Sequence, residues 1–141
     1  MEMLILKRLI LHLMLFSALV AIPSNSFATN TYSEESNRKI ISIKRGSEFR
    51  LTLHSTYWSK PHLSGRSLEQ VGNVISNSID PGPSAPPGCT KPGIGCGDLT
   101  WNFKAKRVGM TVITIKRNIC GEALRCVGKE GLFRLTVRVS R

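Results

Sequence analysis

Few residues beyond position 28 could carry chemistry: Cys89, Cys96, Cys120 and Cys126, the histidines His54 and His62, and the aspartates Asp80 and Asp98. Three chemistries could use them. A zinc site would draw on the cysteines, but their spacings lack the close Cys-x-x-Cys knuckle. Nucleophilic catalysis would need one free thiolate beside a histidine, whereas an even number of cysteines in an exported chain favours oxidation. Asp80 and Asp98 lie beside loop prolines or glycines, where aspartate commonly serves as a turn residue. His54, at a strand end, suits an exposed polar face. No catalytic set, metal site or cofactor is therefore assigned, and the chain is read as a non-enzyme.

Disulfides remain. Four cysteines allow three pairings, and sequence alone does not select one. Spacing favours Cys89–Cys96 and Cys120–Cys126, because each pair lies within one loop and needs no assumption about which loops are neighbours. Closing such a short loop contributes about 2–3 kcal/mol in the chain-entropy model.

The oxidising compartment is inferred from the start of the chain. Lys7 and Arg8 precede an apolar stretch from Leu9 to Ile22, and Ser26-Phe27-Ala28 forms a small-x-small cleavage pattern. The apolar run is shorter than the roughly 20 residues that span a bilayer. Residues 1–28 are thus expected to be a signal peptide, leaving a secreted or periplasmic protein without stable membrane insertion after cleavage. Residues 29–141 are the length of one domain, expected to be a monomer. The chain carries a net charge of +11, which can steer it toward acidic partners.

Positioning these residues falls to strands. Residues 29–38 are polar and lack a period, so they read as a flexible N-terminal segment. From residue 39 to 141 a β domain is expected. Ile41 and Ile43 alternate with Ser42 and Lys44, and after a turn Phe49, Leu51 and Leu53 alternate with Arg50, Thr52 and His54. The stretch from Ser55 to Ile79 holds no lasting period and allows one short strand or helical turn near Gln70 to Ile75. Residues 80–97 hold five prolines and five glycines, which predicts a long loop. Strands return over Leu99 to Lys106, Met110 to Arg117 and Leu132 to Val139, separated by a turn and by a polar loop holding Cys120 and Cys126. The fold class is all-β, an immunoglobulin-like antiparallel β-sandwich with long loops, and its core should contain Trp101, Phe103, Val112, Leu135 and Val137.

Aromatic residues could serve nucleic acid if they alternated with basic residues on one face. Phe49, Trp101, Phe103 and Phe133 instead read as core, so no nucleic-acid partner is expected. Tyr57 and Trp58 are exceptions, lying in the irregular segment beside Lys60; Trp58 is either a loop plug on the core or an exposed binding anchor.

The layout of residues 39–139 resembles the chagasin family, inhibitors of papain-like cysteine peptidases with an immunoglobulin-like sandwich. Gly93-Ile94-Gly95-Cys96-Gly97 stands where that family has a Gly-x-Gly-Gly loop, with Cys96 in place of the last glycine. Arg117-Asn118-Ile119 stands where its Arg-Pro-Trp motif begins, keeping the arginine. Gly46 to Leu53 is similar to its early strand, after which His54 to Gly65 replaces the family's Asn-Pro-Thr-Thr-Gly loop. The resemblance implies inhibition by loop insertion into a papain-like peptidase cleft, with Tyr57, Trp58, Gly93, Gly95, Gly97 and Arg117 in the inserted loops. The alternative function, from charge, is a non-catalytic basic binding module of the cell envelope that holds an acidic protein or glycan.

Overall fold

The computed structural model describes residues 29–85, 89, 95–117, 119–120 and 125–141. The expected signal peptide, Gly93 and Asn118 lie outside the described residues. Among the described residues eight strands run in chain order: β1 (Asn30–Tyr32), β2 (Ile40–Lys44), β3 (Glu48–His54), β4 (His62–Ser64), β5 (Leu68–Ser78), β6 (Gly97–Ala105), β7 (Gly109–Lys116) and β8 (Leu132–Ser140). They form two four-stranded sheets, β1-β3-β6-β5 and β2-β8-β7-β4, packed as the expected sandwich.

Alternation decides which side chains meet between the sheets. In the β3/β6 register Phe49 faces Phe103, Leu51 faces Trp101 and Leu53 faces Leu99, and all six are buried. In β7/β8 the inward pairs are Thr111 with Val137, Ile113 with Leu135 and Ile115 with Phe133. On β3 and β6 the outward positions are polar, and the Thr52 and Thr100 hydroxyls bond across the pair at 2.9 Å.

Val112, expected in the core, is only half-buried, and its neighbours Thr111, Ile113 and Ile115 turn inward instead. The run Thr111 to Ile115 is β-branched on both faces, so alternation alone does not choose between them. Thr111 can be the buried member because its hydroxyl accepts the Ser67 backbone N–H at 3.0 Å and bonds the Ser67 hydroxyl at 2.7 Å. A buried hydroxyl with partners carries no desolvation penalty of the unpaired kind.

Three features differ from the sequence reading. Residues 29–38 are not a loose terminus: β1 pairs with β3, a 3-10 turn covers Glu34–Ser36, and the Asn37 side chain accepts from the Arg134 N–H and donates to the Leu132 carbonyl. Both N-terminal strands pair in parallel, β1 with β3 and β2 with β8, because the chain runs up one sheet edge, turns, and descends the other. Finally, β5 is an 11-residue edge strand, interrupted between Val71 and Ile75 by a register shift.

The strand directions sort the connections. The 3-10 turn and the loops after β3, β5 and β7 gather at one end of the sandwich. The short turns after β2, β4 and β6 gather at the other.

Candidate functional site

The loop end brings together most of the residues singled out in the sequence. β3 and β6 continue their ladder past the strands: the Ser55 N–H donates to the Gly97 carbonyl at 2.6 Å and the Thr56 N–H to the Gly95 carbonyl at 2.8 Å. The loop after β3 and the arm entering β6 are thereby one hydrogen-bonded unit. Cys89–Cys96 closes that arm, with a Cα–Cα distance of 5.8 Å, and Cys120–Cys126 closes the neighbouring loop at 5.0 Å. Both are the pairings within one loop, so these sulfurs are neither zinc ligands nor thiolate nucleophiles.

Tyr57 lies over Gly95. A Cβ at Gly95 would sit 2.6 Å from Tyr57 Cε2, and the glycine has φ +65°, so the bare Cα is what lets the ring close down. Ser55 supports this corner from below, buried at φ 90°, with its hydroxyl accepting the Tyr57 N–H at 3.3 Å. A left-handed serine costs about 1 kcal/mol or more, and such strain persists where surrounding bonds hold it.

Trp58 joins the arm to the β7–β8 loop. Its backbone forms an isolated bridge with Arg117, and the Arg117 guanidinium carbon lies 5.8 Å from the indole centroid. The indole N–H donates to the His54 carbonyl at 2.7 Å. Half-buried and packed against the core, Trp58 plugs the sandwich with one face and leaves the rest of its ring at the surface. Arg117 is held from behind, its Nε–H donating to the Ile119 carbonyl at 2.9 Å and its N–H to the Gly131 carbonyl at 3.0 Å. Beside this pair opens a groove of about 360 Å³ whose walls include Glu34, Asn37 and Phe133.

The N-terminal turn contributes a part that sequence reasoning missed. The Glu34 carboxylate accepts the His54 backbone N–H, while His54 Nδ1 bonds the Asp98 carboxylate. Asp98 is a strand residue of β6 directly opposite His54, not a turn residue. The cluster of turn-forming residues at Ser33 to Asn37 was the available signal for a fixed turn.

The Asp98 hydrogen bond, reinforced by the negative charge of Glu34, raises the His54 pKa above its ordinary 6.5. The folded state therefore holds this proton more tightly than the unfolded chain does. The stabilisation is complete below 6.5 and is lost as pH rises through the folded-state value. His54 is 82% exposed, so solvent screens the effect and it should be small. The unfolding midpoint should rise as pH falls from about 8 to about 6, and His54→Gln should remove the part of that rise due to this site. An NMR titration of the His54 ring with its midpoint at or below 6.5 would contradict the assignment.

Of the six residues assigned to inserted loops, Tyr57, Trp58, Gly95, Gly97 and Arg117 lie at this end. Among the described residues no group of three or more His, Cys, Asp or Glu side chains could hold a metal ion.

The class that this architecture defines is the one shared with two solved structures. Amebosin matches with a TM-score of 0.54 at 16% identity, over 81% of this chain and 100% of its own. The cysteine protease inhibitor EhICP2 from Entamoeba histolytica matches with a TM-score of 0.54 at 9% identity, over 79% of this chain and 95% of its own. No protein-family model and no curated protein matches the sequence. The shared property is the fold: a β-sandwich of the kind a cysteine protease inhibitor uses.

Proposed function

We propose that residues 29–141, exported and freed of their leader, act as a monomeric, non-enzymatic inhibitor that occludes the cleft of papain-like cysteine peptidases with the loop end. The observation that carries this reading is the convergence of the Trp58–Arg117 pair and the Gly95 arm on one end of a rigid sandwich. Such a wedge needs backbone that can approach a cleft closely, an aromatic anchor to be desolvated, and little ordering cost on binding. For the first need, Gly95 lets the Tyr57 ring lie flat on the arm and keeps that edge of the wedge thin, and Trp58 suits the second. The two disulfides and the shared ladder serve the third. Cross-bonded loops also resist being drawn into the extended form that a peptidase cleaves. The fold held in common with EhICP2 and the four bonded cysteines agree with an inhibitor that does no chemistry of its own.

The test is a titration of papain, activated and then freed of reductant, with oxidised protein spanning residues 29–141. Activity should fall to a stoichiometric end point while the inhibitor remains uncleaved. Trp58→Ala should weaken inhibition at least about 30-fold, the loss expected from about 2 kcal/mol at a central aromatic anchor. Gly95→Glu should abolish it, with the unfolding midpoint recorded to show that the domain persists. If papain and a panel of related peptidases are indifferent at high micromolar protein, the reading fails.

A further inference from the structure

The end opposite the loops has a composition of its own. Each of its three short turns carries one arginine: Arg45 after β2, Arg66 after β4 and Arg107 after β6. All three are exposed, as are Lys44 and Arg138 beside them. None of these five makes an ion pair among the described residues. The acidic side chains that border this end are already engaged, Glu48 with Lys104 at 3.4 Å and Glu69 with Lys106 at 2.7 Å. Beside these cations stand two exposed apolar side chains, Val108, which follows Arg107, at 53% and Met110, opposite Arg138 in the β7/β8 ladder, at 57% exposure.

This array is fixed before any partner arrives. The Gly46 N–H donates to the Ala105 carbonyl at 2.8 Å and the Ala105 N–H to the Ser47 carbonyl at 2.9 Å, tying the first turn to the end of β6. The Lys106 N–H donates to the Ser67 carbonyl at 2.8 Å, tying the second turn to the third. Three arginine-bearing turns are thus held side by side on one rigid end.

We propose that this turn end docks the protein onto a bilayer surface rich in anionic phospholipid, leaving the loop end directed into solution. Charge complementarity selects an anionic partner, each exposed Lys or Arg near such a surface adding to attraction that falls off within a Debye length. Val108 and Met110 select lipid over a sulfated or carboxylated polymer. Apolar side chains at an interfacial contact enter the boundary between headgroups and acyl chains, and a hydrophilic chain offers them nothing. The surface is a second function, separate from peptidase inhibition and on the opposite end of the domain.

Flotation of the oxidised protein with phosphatidylcholine vesicles, with and without phosphatidylglycerol, tests the assignment. Binding is expected only with phosphatidylglycerol and should weaken steeply as salt rises from about 0.05 to about 0.5 M. Removing three cations together, in Arg45→Gln/Arg66→Gln/Arg107→Gln, should weaken binding by roughly 100-fold. Val108→Ser should weaken it several-fold at unchanged charge, whereas Arg117→Gln, at the loop end, should leave it within about twofold. Near-ultraviolet circular dichroism of each variant reports that the sandwich is intact. Unchanged vesicle binding by the triple variant overturns the proposal. So does capture by dextran sulfate or an acidic protein without vesicle binding.

Discussion

Gly97→Ala is expected to destabilise the domain by about 2–5 kcal/mol, the sum of left-handed backbone strain and overpacking. Gly97 has φ +120°, and a Cβ built there would lie 2.7 Å from the Ser78 Cα and run into the Asn77 carbonyl oxygen. Both obstacles are backbone of β5, the neighbouring strand, so no rotamer change relieves them. Gly97 opposes Ser78 in the β5/β6 ladder and also accepts the Ser55 N–H, so a shift at Gly97 is felt in both loops that form the site. A change of this size removes much of the total stability of a small domain. Urea unfolding measures it, and a midpoint within error of the parent would refute the close packing against β5. Although the sequence reading groups Gly97 with Gly95 as loop glycines, the missing side chain at Gly97 faces the protein's own backbone.

Phe103→Ala should cost about 3–5 kcal/mol, the range for a large aromatic removed from a core that cannot fully collapse. Phe103 is fully buried in the central strand pair, and its ring stacks on Phe49 with centroids 5.3 Å apart and planes at 27°. Tyr32 meets Phe49 edge-on at 5.5 Å, so the void would open beneath β1 as well. Phe103→Leu, which keeps most of the volume, should cost clearly less. Because Phe103 lies toward the turn end of β6, away from the loop end, the folded fraction of Phe103→Ala should inhibit papain with unchanged potency under the proposed function. Equal unfolding midpoints for Phe103→Ala and the parent would place this ring outside the core.

Strands that bury one face were legible in the sequence. β3, β6 and β8 alternate strictly, and their inward residues follow directly from period two. β1 and β4 were not legible, because Asn30-Thr31-Tyr32 and His62-Leu63-Ser64 are too short and polar to show a period. They are strands because backbone groups of β3 and β7 lie alongside to be paired, a tertiary cause invisible in local composition. β5 was hard to read for a different reason: an edge strand exposed along most of its length has no buried face to impose alternation. At the site, Tyr57 and Trp58 could be picked out as aromatics outside any strand pattern, and local disulfide pairing followed from spacing. The partnership of Glu34 with His54 could not, since it depends on β1 pairing in parallel beside β3, which carries the following turn to the end of that strand.

The parallel pairing of β2 with β8 also sets an order of assembly. β8 lies between β2 and β7, so β2 has nothing to join until the last strand exists. The Asn37 clamp on Arg134 closes a separation of 97 residues. Contacts so distant along the chain carry a large loop-closure cost before they return any stabilisation, which places folding in the slow range of roughly milliseconds to seconds typical of β-sandwiches. The β7–β8 hairpin can form from neighbouring residues, and only then is there an edge for Ile40 to Lys44 to dock against. Completion of the second sheet therefore runs from the C-terminus back to the N-terminus, against the direction in which the chain is synthesised.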